Sequence, residues 1–255
     1  MYYTIEDLHK QLEPIRGKYP LTTHPFVKKF ETAEYSADQV RAWATKMLPG
    51  SNRFNTSFLR AISMLPELED RIILLKNSFT EHGRLKAEDA HINLLVRFMR
   101  AVDCPVISIY TDDGSSTAAA MAFKKFPVEI DEPIVGILAR FLAFETALPS
   151  LFSCYIKGLR VIFPKLTEHD LEYFSVHIEA DPDHESELLE VISRNIKHEA
   201  DIMIVKNNYE LMYSQLVAFF DYEYRELERL AAIPTSQIHE NVISMSGTSE
   251  DLTVR

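Results

Sequence analysis

The stretch from residue 134 to residue 162 constrains the fold most, because it is long and apolar on nearly every side. A helix without a polar face is stable in water only when other elements surround it, so we predict a central, buried helix here. Arg140, Glu145 and Pro149 interrupt the run, which leaves it too broken to span a bilayer. The rest of the chain must therefore supply helices that cover this one.

Composition favours a single all-α domain of seven to eight helices. The chain has 255 residues but only 7 glycines, whereas Rossmann and β-sandwich folds need glycine-rich turns. Apolar residues at 46% and charged residues at 25% match an ordinary soluble globular protein. We expect one domain over residues 1–230 and a disordered tail over residues 231–255, which are rich in Ser, Thr and single charges.

Local signals predict where several helices begin and end. Thr4 and Ser36 are suitable N-caps, and the first helix is expected to end near Pro14, Gly17 and Pro20. Pro49 with Gly50 is expected to break or kink the path of the chain. Residues 102–116 are predicted to form a long non-helical connection, followed by a short helix over residues 117–125.

An apolar stripe at helical spacing predicts a further amphipathic helix after Pro66. The stripe repeats at i, i+4, i+7 and i+11 and consists of Leu68, Ile72, Leu75 and Phe79. Glu81 lies two residues beyond this stripe, off its centre, and Gly83 is a plausible end for the helix.

Charge, cysteine content and the N-terminus limit the possible partners. The net charge of −11 argues against nucleic acid or an anionic membrane as a partner. Cys104 and Cys154 are too few and too unpatterned for a disulfide framework, and two reduced thiols fit a reducing compartment. The N-terminus has no basic region followed by an apolar one, so no signal peptide is apparent. We expect a soluble, cytoplasmic protein.

Three candidate metal ligands, His177, Asp181 and His184, occur at positions i, i+4 and i+7. On an α-helix these positions form one stripe, because 3.6 residues make a turn. Two imidazoles and a carboxylate are the ligands preferred by non-haem iron and are borderline for manganese or zinc. A solvated polar face is the alternative interpretation.

Glu145 is a carboxylate in the middle of the central apolar helix. An isolated buried carboxylate is energetically costly, so it must be neutralised or find a partner. An ion pair with Arg140 or Arg160, or partial exposure, is one explanation, and metal ligation is the better one once a His-Asp-His stripe exists elsewhere.

A third group of candidate ligands leaves two choices of carboxylate beside His91. Glu88 and His91 have the i, i+3 spacing found in di-iron helical bundles, which slightly favours Glu88. Glu81 lies ten residues before His91, about 80° away around an ideal helix, although a break at Gly83 could bring it round. With either carboxylate, three carboxylates and three imidazoles suffice for two metals with open positions.

These motifs, taken in order, resemble those of the haem-oxygenase-like di-iron oxidases. The similarity covers roughly residues 25–225 and includes Glu81-His-Gly-x7-His91-x-x-Leu-Leu-x-Arg-Phe, the mid-helix Glu145, and His177-x3-Asp181-x2-His184. It implies a compact bundle of about seven helices, often dimeric, and it favours Glu81 over Glu88. The implied metal ligands are Glu81, His91, Glu145, His177, Asp181 and His184.

The resemblance also implies a reaction. Two ferrous ions would bind dioxygen, form a peroxo-di-iron(III) species and, with an external reductant, oxidise a small amino-acid-like or amine substrate in natural-product biosynthesis. A fatty-acid or lipid-chain oxidase of the same fold is one alternative. A metal-free relative is another, either a thiaminase-like hydrolase, which would need a nucleophilic cysteine, or a helical interaction protein. A homodimer is expected.

Pro182 directly follows Asp181 and departs from a simple helical stripe. Because a residue before proline avoids the helical region, Asp181 could be an N-cap with Pro182 at the first helical position. We therefore expect this segment to be kinked or mobile and the second iron to be held weakly without substrate.

Overall fold

The computed structural model describes residues 3–106 and 132–232, and every regular element in those ranges is helical. The predicted helix at residues 117–125, most of the connection before it and almost all of the predicted tail lie outside the described residues. Nine α-helices occur in the described ranges: α1 Ile5–Lys18, α2 Pro25–Glu31, α3 Ala37–Ala44, α4 Met47–Met64, α5 Leu68–Glu81, α6 His91–Ala101, α7 Ile134–Ile162, α8 Glu172–Asn195 and α9 Glu199–Ala231. Short 3-10 turns occur at Leu21–Thr23, Gly83–Leu85 and Ala87–Asp89. The predicted all-α bundle is confirmed.

Helix α7 occupies the centre of the bundle, as its composition predicts. It packs against α8 and α9 and is crossed by α2. The helix is long and apolar enough to cross a membrane by length and composition, but 78% of its most apolar 18-residue window is buried within the fold. It therefore serves here as the core helix that the others surround.

The predicted caps are present, and α1 ends at Lys18, between Gly17 and Pro20 as expected, whereas Pro49 does not end a helix. Thr4 accepts a hydrogen bond from the Asp7 amide at 3.1 Å, and Ser36 accepts one from the Gln39 amide at 3.3 Å. Helix α1 continues through Pro14 to Lys18, and α4 begins at Met47. Pro49 thus lies in the first turn of α4, where a missing N–H removes no intrahelical hydrogen bond, so the expected break there is wrong.

Helix α5 presents its apolar stripe to the surface rather than to the core. Within the described part of the bundle, each of the four residues of the stripe has between 44% and 58% of its surface exposed. The opposite face is buried and mostly polar, and its residues are Asp70, Leu74, Asn77, Ser78 and Glu81. The helix itself is confirmed, and its polar face is turned inward toward the candidate ligands.

Gly158 permits α2 to cross α7 in direct backbone contact. A Cβ atom at this position would lie 1.6 Å from the Phe30 carbonyl oxygen, which belongs to α2. Backbone cannot move aside as a flexible side chain can, so α2 would have to shift. This crossing places Phe30 against Tyr155 and Trp43, with ring centroids 4.9 and 4.6 Å away.

We expect Gly158→Ala to lower the free energy of unfolding by about 3 kcal/mol or more, because overpacking here displaces backbone. Gly17→Ala is the matched control, since a Cβ there meets nothing within 4 Å and alanine favours a helix by about 1 kcal/mol. Chemical denaturation of both variants measures the difference. A Gly158→Ala protein as stable as the parent would contradict the described crossing.

Candidate metal centre

Four of the described helices bring the six predicted ligands together in the core. Glu81 ends α5, His91 begins α6, Glu145 lies in the middle of α7, and α8 carries the other three. Every one of the six is at most 6% exposed: Glu81, His91, Glu145, His177, Asp181 and His184. Titratable side chains are rarely so buried without partners, so their assembly in one place needs a chemical explanation.

The turn between α5 and α6 determines which carboxylate meets His91. Gly83, Arg84 and Leu85 all have positive φ, between 52° and 68°, and they reverse the chain immediately after Glu81. A Cβ at Gly83 would lie 2.3 Å from the Ala90 backbone nitrogen, so the close approach requires glycine. As a result Glu81 Oε1 lies 3.0 Å from His91 Nδ1, whereas Glu88 is exposed on a 3-10 turn.

The first triad consists of Glu81, His91 and His177, whose ligand atoms lie within 4.8 Å of one another. His91 Nδ1 is 3.3 Å from His177 Nε2. His177 Nδ1 lies 2.6 Å from the Tyr173 carbonyl oxygen, which can only accept, so Nδ1 carries the proton. The lone pair of His177 Nε2 is thereby directed toward His91 and Glu81.

The second triad consists of Glu145, Asp181 and His184, again with ligand atoms within 4.8 Å of one another. His184 Nδ1 lies 3.5 Å from Glu145 Oε2 and 3.8 Å from Asp181 Oδ1. It also lies 3.9 Å from Glu81 Oε1, so Glu81 is close to both triads. Glu81 would therefore be available as a ligand to a metal ion at either triad.

Thr80 fixes the orientation of His184, and sequence reasoning missed it. Its hydroxyl donates to the Asn77 carbonyl at 2.7 Å and lies 2.8 Å from His184 Nε2. Because the single hydroxyl proton is used on Asn77, the Thr80 oxygen accepts from His184 Nε2–H, which leaves Nδ1 free as a ligand. The available signal was a hydroxyl directly before the candidate ligand Glu81.

Burial and mutual charge shift the pKa values of these groups in different directions. Burial, reinforced by the charges of Glu145 and Glu81, raises the pKa of Asp181 well above its usual range. Burial and the neighbouring His91 lower the pKa of His177 to about 4. Burial alone would raise the pKa of Glu81, but His91, His177 and His184 together outweigh it and lower that pKa to about 2.

The second triad fits a bound cation because its polar atoms lack partners. Glu145 Oε2, both Asp181 carboxylate oxygens and His184 Nδ1 are buried without a hydrogen bond from the described residues. Leaving such groups unsatisfied costs about 1–3 kcal/mol each, and a divalent cation among them would remove that cost. An imidazole nitrogen with carboxylate oxygens is a donor set that suits ferrous iron.

The alternative explanations offered for these ligands are not supported. Arg140 pairs with Glu132, and Arg160 pairs with Glu168, so neither arginine neutralises Glu145. Helix α8 runs without interruption through Pro182, and Asp181 accepts no hydrogen bond from a backbone amide. The expectation that Asp181 is an N-cap is therefore wrong, while the weak hold on a second iron stays a prediction.

A cavity of about 840 Å³, measured with its open mouth, adjoins the two triads. Glu81, Glu145 and His177 contribute to its wall, and Lys46 is the one lysine or arginine in it among the described residues. The rest of the wall is largely aromatic and aliphatic: Trp43, Met47, Phe54, Phe144, Leu148, Leu151, Phe152, Tyr155, Tyr173, Leu216, Phe219 and Phe220, with Gly50 and Ser51. A mostly apolar cavity with a few polar groups is typical of a small-molecule site.

Neither cysteine has the environment of a nucleophile. Cys104 and Cys154 are both free and buried, and neither belongs to the wall of this cavity. Burial raises the pKa of the Cys104 thiol to about 12, and burial also raises that of Cys154. A thiol hydrolase needs a thiolate in its pocket, so this geometry does not support the hydrolase alternative.

Comparison with known proteins agrees with the geometry. The family described as iron-containing redox enzymes matches residues 41–206, which include all six candidate ligands. The chain belongs to this family. It is accordingly an oxidoreductase with a di-iron centre and, as the resemblance implied, a member of the haem-oxygenase-like superfamily.

Two relatives are each named 4-aminobenzoate synthase. One, from Chlamydia muridarum (strain MoPn / Nigg), is 27% identical over 189 residues, which cover 72% of this chain and 78% of the relative. The other, from Chlamydia trachomatis serovar D, is 25% identical over 214 residues, covering 83% and 91%. A solved haem-oxygenase-like domain of unknown function from Shewanella denitrificans has a TM-score of 0.69 at 15% identity, with 91% and 98% of the chains covered, which supports the fold.

We expect Thr80→Val to weaken metal binding at the second triad by about 10- to 100-fold, because His184 loses the acceptor that orients it. Thr80→Ser retains the hydroxyl and should bind nearly as the parent does. Cobalt(II) titration against a competing chelator measures the affinity without any need for turnover. Equal affinity in the valine and serine variants would show that Thr80 does not orient His184.

We expect Asp181→Asn to leave the metal-free protein at least as stable as the parent at neutral pH, because it removes a buried carboxylate without hydrogen-bond partners. With added metal the parent should be more stable than Asp181→Asn, since only the parent gains the full stabilisation of metal binding. Thermal unfolding with chelator and with ferrous iron tests this. Asp183→Asn, at an exposed position on the same helix, should follow the parent in both conditions.

Proposed function

We propose that this protein is a dioxygen-dependent, non-haem di-iron oxidase of a small amino-acid-like or amine substrate. The observation that carries the proposal is a pair of buried triads, joined by Glu81, beside an aromatic cavity. Donor sets of this kind suit iron, and Glu81, Glu145 and His177 lie at the interface between the triads and the cavity.

Each triad would hold one metal ion. Glu81, His91 and His177 would hold the first, and Glu145, Asp181 and His184 the second. When bound, two ferrous ions supply the electrons that activate dioxygen, with an external reductant restoring them. The protein's part is to hold the imidazole lone pairs in place through Tyr173 and Thr80, and to exclude bulk water from the ligands by burial.

The cavity and the relatives both support an aromatic amine or amino acid as the substrate class. Eight Phe, Tyr and Trp side chains line the cavity, so they offer favourable contacts to an aromatic body. The product in the relatives' name, 4-aminobenzoate, carries a ring, an amine and a carboxylate. We propose a substrate or product with the same three kinds of group, in a natural-product or related biosynthetic route.

A lipid-chain oxidase is the second candidate, and the apolar wall of the cavity is the observation that favours it. An alkyl chain could occupy the same space between Phe54, Phe144 and Leu148.

We further propose a soluble cytoplasmic homodimer whose domain spans residues 1–230. Sedimentation would test the dimer, and limited proteolysis would test the domain bounds.

Iron loading tests the proposal. Anaerobic titration with ferrous iron should give two ions per chain, and dioxygen should then change the visible absorption spectrum. Glu81→Gln should bind less iron and lose most of the oxygen-dependent change, because this carboxylate is close to both triads. Glu88→Gln is the matched control and should behave as the parent, since Glu88 is exposed. A parent protein that binds no iron would overturn the proposed function.

A further inference from the structure

Lys46 places a cation in a cavity whose wall is otherwise largely apolar. It lies just before α4, and its ammonium group donates to both carboxylate oxygens of Glu223 on α9, at 3.0 and 2.9 Å. The Lys46 side chain is 21% exposed, whereas that of Glu223 is fully buried. Glu223 therefore holds Lys46 in position from behind, without being part of the cavity wall itself.

The ammonium group of Lys46 has fewer oxygen acceptors than donors. It has three donors, and the described residues give it two oxygen acceptors, both on Glu223, together with the Tyr222 ring, whose centroid lies 5.5 Å from Nζ. Burial raises the pKa of Glu223, although the Lys46 charge opposes that shift.

A row of aromatic rings in contact extends from His177 to Trp43 in the wall of the cavity that Lys46 also lines. Phe152 lies 5.3 Å from the His177 ring and 6.0 Å from Tyr155, measured between ring centroids. Tyr155 in turn lies 5.2 Å from Trp43, which is three residues before Lys46. The cavity wall thus combines candidate metal ligands, aromatic surface and, among the described residues, a single lysine.

We propose that Lys46 binds the carboxylate of a substrate with an aromatic or arylalkyl body, and that Glu223 positions Lys46 for this contact. The aromatic body would pack against the ring row, which leaves the remaining end of the molecule toward Glu81, Glu145 and His177. The inference rests on the proposed function and deepens it, because it assigns the substrate class and the residue that selects it.

Carboxylate selectivity in the metal-free full-length protein tests the inference, with 3-phenylpropionate and 3-phenylpropionamide as probes in calorimetry. The parent should bind the carboxylate at least about tenfold more tightly than the amide, since a charge-assisted hydrogen bond contributes about 1.5–3 kcal/mol. Equal affinity for the two probes would overturn the inference.

Two variants separate ligand binding from a structural ion pair. Lys46→Met combined with Glu223→Gln removes both charges without leaving a buried carboxylate unpaired, and it should abolish the preference for the carboxylate. Glu223→Gln alone should retain the preference, because the glutamine oxygen still accepts a hydrogen bond from Lys46 and can position it. Lys46→Arg should retain it. The inference would be overturned if the Lys46→Met, Glu223→Gln double variant still preferred the carboxylate probe. It would also be overturned if Glu223→Gln alone lost that preference as the double variant does.

Further arms of the experiment distinguish the substrate classes and the two proposals. Octanoate binding more tightly than 3-phenylpropionate would overturn the aromatic class in favour of a lipid chain. Ferrous iron loading is measured separately on the same proteins. Carboxylate selectivity without iron binding would support the Lys46 site while overturning the proposed function. Iron binding without carboxylate selectivity would support the proposed function while overturning the Lys46 site.

Discussion

The burial of three carboxylates and three imidazoles within one helical bundle is the constraint on which the rest of the structure depends. Ionised groups in a low-dielectric interior are costly unless opposite charge or hydrogen bonds compensate them. Here the carboxylates outnumber their fixed positive partners, and the nearby arginines are engaged elsewhere. The core is therefore arranged for added positive charge, and the surrounding helices have to tolerate that arrangement when no charge is present.

The inverted face of α5 follows from this constraint. A helix next to a purely apolar core would turn its leucines and phenylalanine inward, but α5 turns Asn77, Ser78 and Glu81 inward instead. Thr80 then lies beside His184, with its hydroxyl committed to the Asn77 carbonyl. The polar face of this one helix provides a candidate ligand and an orienting hydroxyl. Its apolar face is left largely exposed in the described part of the bundle.

The sequence predicts the parts of the site that depend on local spacing. The i, i+4, i+7 stripe on α8 places three side chains together whatever surrounds them, and the apolar context of Glu145 reveals a buried carboxylate. The choice between Glu81 and Glu88 is different, because it depends on three consecutive positive-φ residues that spacing does not encode. Lys46 was missed for a similar reason, since its partner Glu223 is 177 residues away.

The two triads differ in what a metal ion would replace. At the first triad, Glu81 and His91 already interact at 3.0 Å, so a metal there has to displace an existing contact. At the second triad, four buried atoms have no hydrogen-bond partner among the described residues, so a metal there displaces none and satisfies all four. This asymmetry opposes the effect expected from Pro182, which removes a backbone donor beside Asp181 and weakens α8 locally. Satisfying the buried polar atoms of the second triad involves several groups at once, whereas the proline removes one hydrogen bond. The unsatisfied buried atoms of the second triad therefore favour a bound cation, even though Pro182 removes a backbone hydrogen bond of α8 beside Asp181.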